Sequence, residues 1–243
     1  MTTLTIPMAD TIGIDLPRIP PGVFRKIAYY VTGGGSIQAT PADIARFPTA
    51  GHVPVDQSPE LQAYADGIAQ VADVEPGAGT TTAFVNATKK RIAAGRGGNL
   101  YCAISAVGRN IDALMTAGIP LAKISFWLAD WNLSQAQAAL RCGSQSVDVP
   151  GRGSVTIYVG AVQWASPSSN PLTLLPGTKT TLREANVDLS ETMPGWFDYV
   201  PPKPPPVPAP APVKMLAGIT VDDALTVYRV ISTDSGKTWT THT

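Results

Sequence analysis

Histidine and cysteine are scarce, two of each in 243 residues, and their scarcity removes whole chemistries. His52 and His242 cannot furnish a histidine-rich metal site, and they offer little to a Ser/His/Asp triad. Cys102 and Cys142 do not make a disulfide framework, and Cys102 lies in the apolar run 100–104 as a small buried side chain. An excess of either charge is also missing: 18 basic and 18 acidic residues leave no basic stripe, so nucleic acid is excluded as an expected partner. No apolar run approaches the roughly 20 residues of a membrane-spanning helix. Residues 1–7 show neither a basic leader nor an apolar core, so the expectation is synthesis in a cytoplasm without a signal peptide. No Gly-x-Gly-x-x-Gly opens a helix and no Gly-Lys-Ser/Thr loop occurs; Gly33-Gly34-Gly35 reads as a tight turn. No cofactor and no metal is expected, and any catalysis has to run on carboxylates.

What is present is proline, glycine and an apolar fraction of 44%, sufficient for a sizeable core. Composition divides the chain into four zones. Residues 1–23, with prolines at 7, 17, 20 and 21, suggest an extended N-terminal arm. Residues 24–200 alternate apolar strand-like runs with helix-like segments. Residues 201–213 are mostly proline, a semi-rigid spacer on the order of 40 Å at ~3.1 Å per residue. Residues 214–243 form a short β tail. In the second zone, strands are predicted over 26–32, 52–56, 67–75, 99–105, 123–130 and 155–164. Helices are predicted from Thr40-Pro41 onward and over 59–65, 81–94, 108–117 and 134–141, with Ser134 as a cap. Strands separated by helices imply parallel βαβ units, so the expected fold is α/β, a small or incomplete TIM-like barrel, with an open doubly wound sheet as the alternative.

The chemistry-bearing residues fall at predicted strand ends. Asp73-Val74-Glu75 closes an apolar run and is followed by Pro76 and Gly77. Residues two apart on a strand share a face, so the two carboxylates project together. Strand C-terminal ends are where α/β barrels hold their reactive groups, and a protonated acid beside an ionised one is what glycosidic cleavage requires. The plainer reading of Asp-x-Glu is a cap for the following helix. Other ends carry Asp56, Trp127, Asp130, Trp131, Gln163 and Trp164, with Tyr30 on the first predicted strand and Asp188 after a later loop. Aromatic faces stack on pyranose rings, and carboxylates and amides bind hydroxyls, so these residues are candidate substrate contacts. Trp127 is equally readable as core.

In these segments the chain resembles glycoside hydrolase family 25, the lysozyme-like muramidases. Asp73-Val74-Glu75 is similar to the family's Asp-x-Glu strand end, and Trp127-Leu128-Ala129-Asp130-Trp131 to its Trp-(Ile/Leu)-Ala-x-Tyr segment. Val162-Gln163-Trp164 is similar to its Trp-Gln-Tyr element and Asn186-Val187-Asp188-Leu189 to its closing Val-Asp segment, all in family order over residues 24–190. The resemblance implies Glu75 as general acid, with Asp73 and Asp188 stabilising charge at the scissile bond of bacterial cell-wall glycan. It also implies an Asp at the end of the first strand. With residues 27–32 read as that strand none is found, leaving Asp56, Tyr29 or Tyr30 as stand-ins. The tail's Ser232-Thr233-Asp234-Ser235-Gly236-Lys237-Thr238-Trp239 resembles an Asp-box hairpin turn, one copy and therefore structural. Arm, spacer and small tail suggest an assembly component that orders against partners. The combined expectation is a phage minor tail protein in a virion, an oligomer or part of a larger assembly, whose barrel binds or cleaves peptidoglycan and whose N-terminal arm and C-terminal tail contact other tail proteins. Its alternatives are a purely structural tail component, a carbohydrate-binding module and a free endolysin-type muramidase.

Overall fold

The computed structural model describes residues 4–34, 36–197, 216–221, 227–232 and 240–242. The chain divides into two compact units, Met1–Val200 and Pro201–Thr243.

Among its described residues the first unit contains nine strands: β1 (Ile6–Thr11), β2 (Lys26–Tyr30), β3 (Gly51–Asp56), β4 (Val71–Asp73), β5 (Gly98–Ala103), β6 (Ile124–Ala129), β7 (Gly143–Val149), β8 (Gly153–Ala165) and β9 (Asp188–Thr192). From β1 to β6 each strand pairs in parallel with the next. β8 then pairs in parallel with β6, and β9 runs antiparallel between β8 and β1. Those eight strands close on themselves, while β7 forms a hairpin with β8 outside the ring. The fold is therefore mixed α/β, built on a closed eight-stranded barrel with helices outside it. Closure removes the open doubly wound alternative, and it takes eight strands where six were foreseen.

Side chains alternate between two environments along each strand. Met8, Ala28, Val53, Val55, Val71, Tyr101, Trp127, Ala129 and Ala161 fill the barrel interior. Leu100, Cys102, Phe126 and Leu128 face outward onto Phe84, Ile111 and Leu114 of the helical layer. Ala9, Ile27 and Tyr29 do the same against Leu16, Phe47 and Leu182. Burial on both faces explains why these strands read as nearly continuous apolar runs.

The helices are α1 (Pro41–Ile44), α2 (Gln62–Asp66), α3 (Thr81–Ala93), α4 (Val107–Thr116), α5 (Gln135–Arg141) and α6 (Leu182–Ala185). Their starts follow local chemistry: Thr40 with Asp43, and Ser134 with Gln137, form reciprocal capping boxes, and the Thr80 hydroxyl accepts from the Ala83 N–H. Gly95 and Gly118 stop α3 and α4 in left-handed backbone.

The N-terminal expectation is corrected. The described part of the expected arm, residues 4–23, is not a free arm: β1 lies between β2 and β9, and a 3-10 helix over Gly13–Arg18 follows it. Pro7 hid this strand. It pairs only with Glu191 of β9, and the ladder to β2 begins one residue later at Met8, so no hydrogen bond toward β2 is demanded of its missing N–H. The run expected over 67–75 is shorter, because Gly67 turns left-handed after α2 and strand pairing begins only at Val71.

At the N-terminal end of the parallel strands, Trp196 fills the barrel beside Trp127. A Cβ at Gly160 would collide with the Trp196 ring, so glycine makes the room. Lys26 is fully buried at this end and donates to Thr192 Oγ1 at 3.0 Å and the Met193 carbonyl at 2.9 Å. The second unit contains β10 (Leu216–Val221), β11 (Val227–Ser232) and β12 (Thr240–His242), an antiparallel three-stranded sheet. The proline spacer and the Asp-box turn at 233–239 lie outside the described residues. Among the described residues no helix is long and apolar enough to cross a membrane.

Candidate active site

The opposite end of the barrel, where β1 to β6 and β8 finish and β9 starts, gathers carboxylates. Asp10 lies two residues beyond Met8 on β1 and shares its inward face. Asp10 and Asp188 are direct partners in the antiparallel β1–β9 ladder. Opposed residues point to one face with Cβ atoms ~4.5–5.5 Å apart, so these two acids stand side by side. Asp73 follows inward-facing Val71 on β4, beside Tyr101 of β5. Glu75, two residues further on, is only partly buried and stands at the mouth. The turn behind it is tight: Gly79 N–H donates to the Asp73 carbonyl at 3.0 Å, and a Cβ there would press within 2.8 Å of that oxygen.

These acids disturb one another. Burial pushes Asp10 well above the usual carboxyl range, and Asp188, Asp73 and Glu75 push it further. Burial, then Glu75 and Asp56, raises Asp73 to about 8. Asp188 rises to about 7 through burial, against the Gln163 amide that favours its anion. Glu75 is raised by burial. Neither Asp10 Oδ1 nor Asp73 Oδ1 has a hydrogen-bond partner among the described residues. Charges this close in a weakly solvated site cannot all ionise, so at neutral pH the cluster holds protons and anions together.

Amide and aromatic groups frame it. The Tyr101 hydroxyl donates to Gln163 Oε1 at 2.6 Å, and Gln163 Nε2 donates to Asp188 Oδ2 at 2.7 Å, which fixes that carboxylate. Burial and then the surrounding acids raise the Tyr30 hydroxyl far above its usual range, which places Tyr30 against the cluster. One layer deeper, Trp127 donates to Ser190 Oγ at 3.0 Å and stacks edge-on with Tyr101, 4.7 Å between centroids. At 1% exposure Trp127 is barrel core, out of reach of a ligand at the mouth.

The remaining candidates separate by strand parity. Asp56 follows inward-facing Val55 and so points out of the barrel. Its carboxylate accepts from the Thr32 hydroxyl, from the Ser58 N–H and hydroxyl, and from the Tyr64 N–H, all within 2.9 Å. It holds the loop before α2 and has no oxygen to spare for a missing first-strand acid. Asp130 follows inward-facing Ala129 and pairs with Arg141 at 2.8 Å. Trp164 packs half-buried between the outer helical clusters. Trp131, 42% exposed, remains a ring available to solvent.

The rim thus unites Asp10, Tyr30, Asp73, Glu75, Gln163 and Asp188. Sequence reasoning missed Asp10 and Tyr101. The signal for Asp10 was an apolar stretch, Ile6 to Ala9, ending in an acid, as β4 ends in Asp73. A cleft of about 680 Å³ opens beside Glu75, between the loops after β4 and β5. Among the described residues no group of three or more His, Cys, Asp or Glu is arranged to hold a metal ion. No protein-family model, curated protein or solved structure matches the chain.

Proposed function

We propose that this rim is the active site of a glycoside hydrolase of the family-25 type, in a TIM-like barrel variant, acting on peptidoglycan glycan as part of a phage tail. The observation that carries the reading is the convergence of Asp10, Asp73, Glu75 and Asp188 at one end of a closed barrel. Asp10 ends the first strand, the position at which the resemblance calls for an acid. Glu75, raised by burial and nearest the mouth, donates its proton to the glycosidic oxygen as the C–O bond breaks. Asp188, oriented by Gln163, and the acids beside it face the positive charge that develops at the anomeric carbon. Water then adds its hydroxyl to that carbon, and its proton restores the acid. Tyr30 and Trp131 supply ring surface to the sugar.

The separate unit Pro201–Thr243 supports the virion part of the reading, since a small sheet beyond a proline spacer suits attachment to tail proteins. With β1 built into the barrel, that attachment falls to the C-terminal unit. The same unit favours the second reading, a structural or glycan-binding tail component without turnover.

Purified bacterial walls incubated with wild type, Glu75→Gln and Asp10→Asn separate the two, with new reducing ends as the readout. Release by wild type should fall at least about a hundredfold in Glu75→Gln and clearly in Asp10→Asn. Equal release by Glu75→Gln would overturn its role, and no release by folded wild type would leave the second reading.

A further inference from the structure

The cleft beside Glu75 has a property that bond cleavage does not require. Its walls are the loop after β4 from Glu75 to Thr80, the first residues of α3 through Thr82, the turn carrying Ser105, and Arg109 in the first turn of α4. Arg109 is exposed, and among the described residues it makes no ion pair and no hydrogen bond. By contrast, Arg18, Arg141 and Arg152 are each held by a carboxylate. The cleft is thus lined by an acid, Glu75, and by an unengaged guanidinium, with Pro76, Ala78 and Ala106 giving apolar wall.

An anionic substrate has a difficulty at this rim. The carboxylate cluster repels negative charge, so any acidic substituent beside the scissile bond needs a cation within reach. Arg109 is the charged group of the cleft able to meet it, and a guanidinium grips a carboxylate through two parallel N–H donors. Resting on the glycosidase reading, we infer that this cleft is a subsite for the carboxylate-bearing lactyl-peptide substituent of the wall glycan, with Arg109 as its anion-binding residue. Small apolar walls and the hydroxyls of Thr80, Thr82 and Ser105 suit a short peptide of small residues. The subsite would make the protein prefer substituted, acidic glycan over a neutral chitin chain.

The test is calorimetric binding to full-length protein carrying Glu75→Gln, so that no turnover intervenes. Muramyl dipeptide is the acidic probe, and chitotetraose is the neutral one. The readout is the ratio of their affinities in that background, then with Arg109→Ala or Arg109→Lys added. The ratio should drop about tenfold with Arg109→Ala and less with Arg109→Lys, and the difference should shrink in high salt. An unchanged ratio in Arg109→Ala would overturn the subsite, as would failure of the parent to bind muramyl dipeptide. Arg109-dependent binding of muramyl dipeptide by a protein whose wild type releases no reducing ends would uphold the subsite and remove the glycosidase reading.

Discussion

Asp73 carries a large electrostatic cost at the rim of this barrel. Its acid is raised to about 8 by burial, by Glu75 and by Asp56, so the folded protein keeps a proton that the unfolded chain releases near pH 4. Between those limits the unfolded state binds fewer protons than the native one, and stability must fall as pH rises from about 4 to 8. Replacing the carboxylate by an amide of the same shape removes that penalty. Asp73→Asn should melt higher than wild type at pH 8, by roughly 2 kcal/mol of stability, and the two should converge at pH 4. Thermal unfolding at both pH values checks it, and an Asp73→Asn protein less stable at pH 8 would contradict the cluster's electrostatics. The residual slope belongs to Asp10 and Asp188, whose acids are raised for the same reason.

At the level of elements, β1 and β9 decide the barrel. β1 is hydrogen-bonded on both sides, to β2 and β9, and contributes Met8 to the interior, Ala9 to the outer layer and Asp10 to the rim. Thr11 Oγ1 also bonds the Asn186 carbonyl at 2.6 Å, and Asp15 accepts from the Asn186 amide at 2.6 Å, so the segment after β1 anchors the approach to β9. Deleting residues 1–12 would open the ring and leave two unpaired strand edges. The shortened chain should be insoluble or lack a cooperative thermal transition, whereas a dispensable arm would leave the transition in place. Circular dichroism melting of the deletion variant distinguishes them.

For the whole molecule, the division at Val200 sets what each half can do alone. All eight barrel strands and every rim acid lie in Met1–Val200. A fragment ending at residue 200 should fold with a melting temperature close to that of the full chain and, on the proposed glycosidase reading, release reducing ends from isolated walls as the full chain does. If the tail serves attachment, the loss on deleting it appears only in association with tail proteins. A fragment that fails to fold would mean that the barrel depends on the C-terminal unit.

Local signals in the chain were enough for the crossover helices. Thr40-Pro41, Ser134, Gly95 and Gly118 mark their ends by local chemistry, which acts within a few residues and is readable without any fold. The buried strands β2, β3, β5, β6 and β8 were legible as apolar runs for the same kind of reason. β1 was concealed by Pro7, and β4 was overextended because its apolar run includes the turn at Gly67. The sequence alone also placed Asp73 and Glu75 together at the end of an apolar run, although β4 itself stops at Asp73. Only the closed ring decided the site. Strand parity sent Asp56 and Asp130 outward to structural partners and buried Trp127 one layer down. Pairing across 178 positions set Asp10 against Asp188. Parity and pairing depend on which strands are neighbours, and that is fixed by closure of the barrel and by no stretch of chain within it.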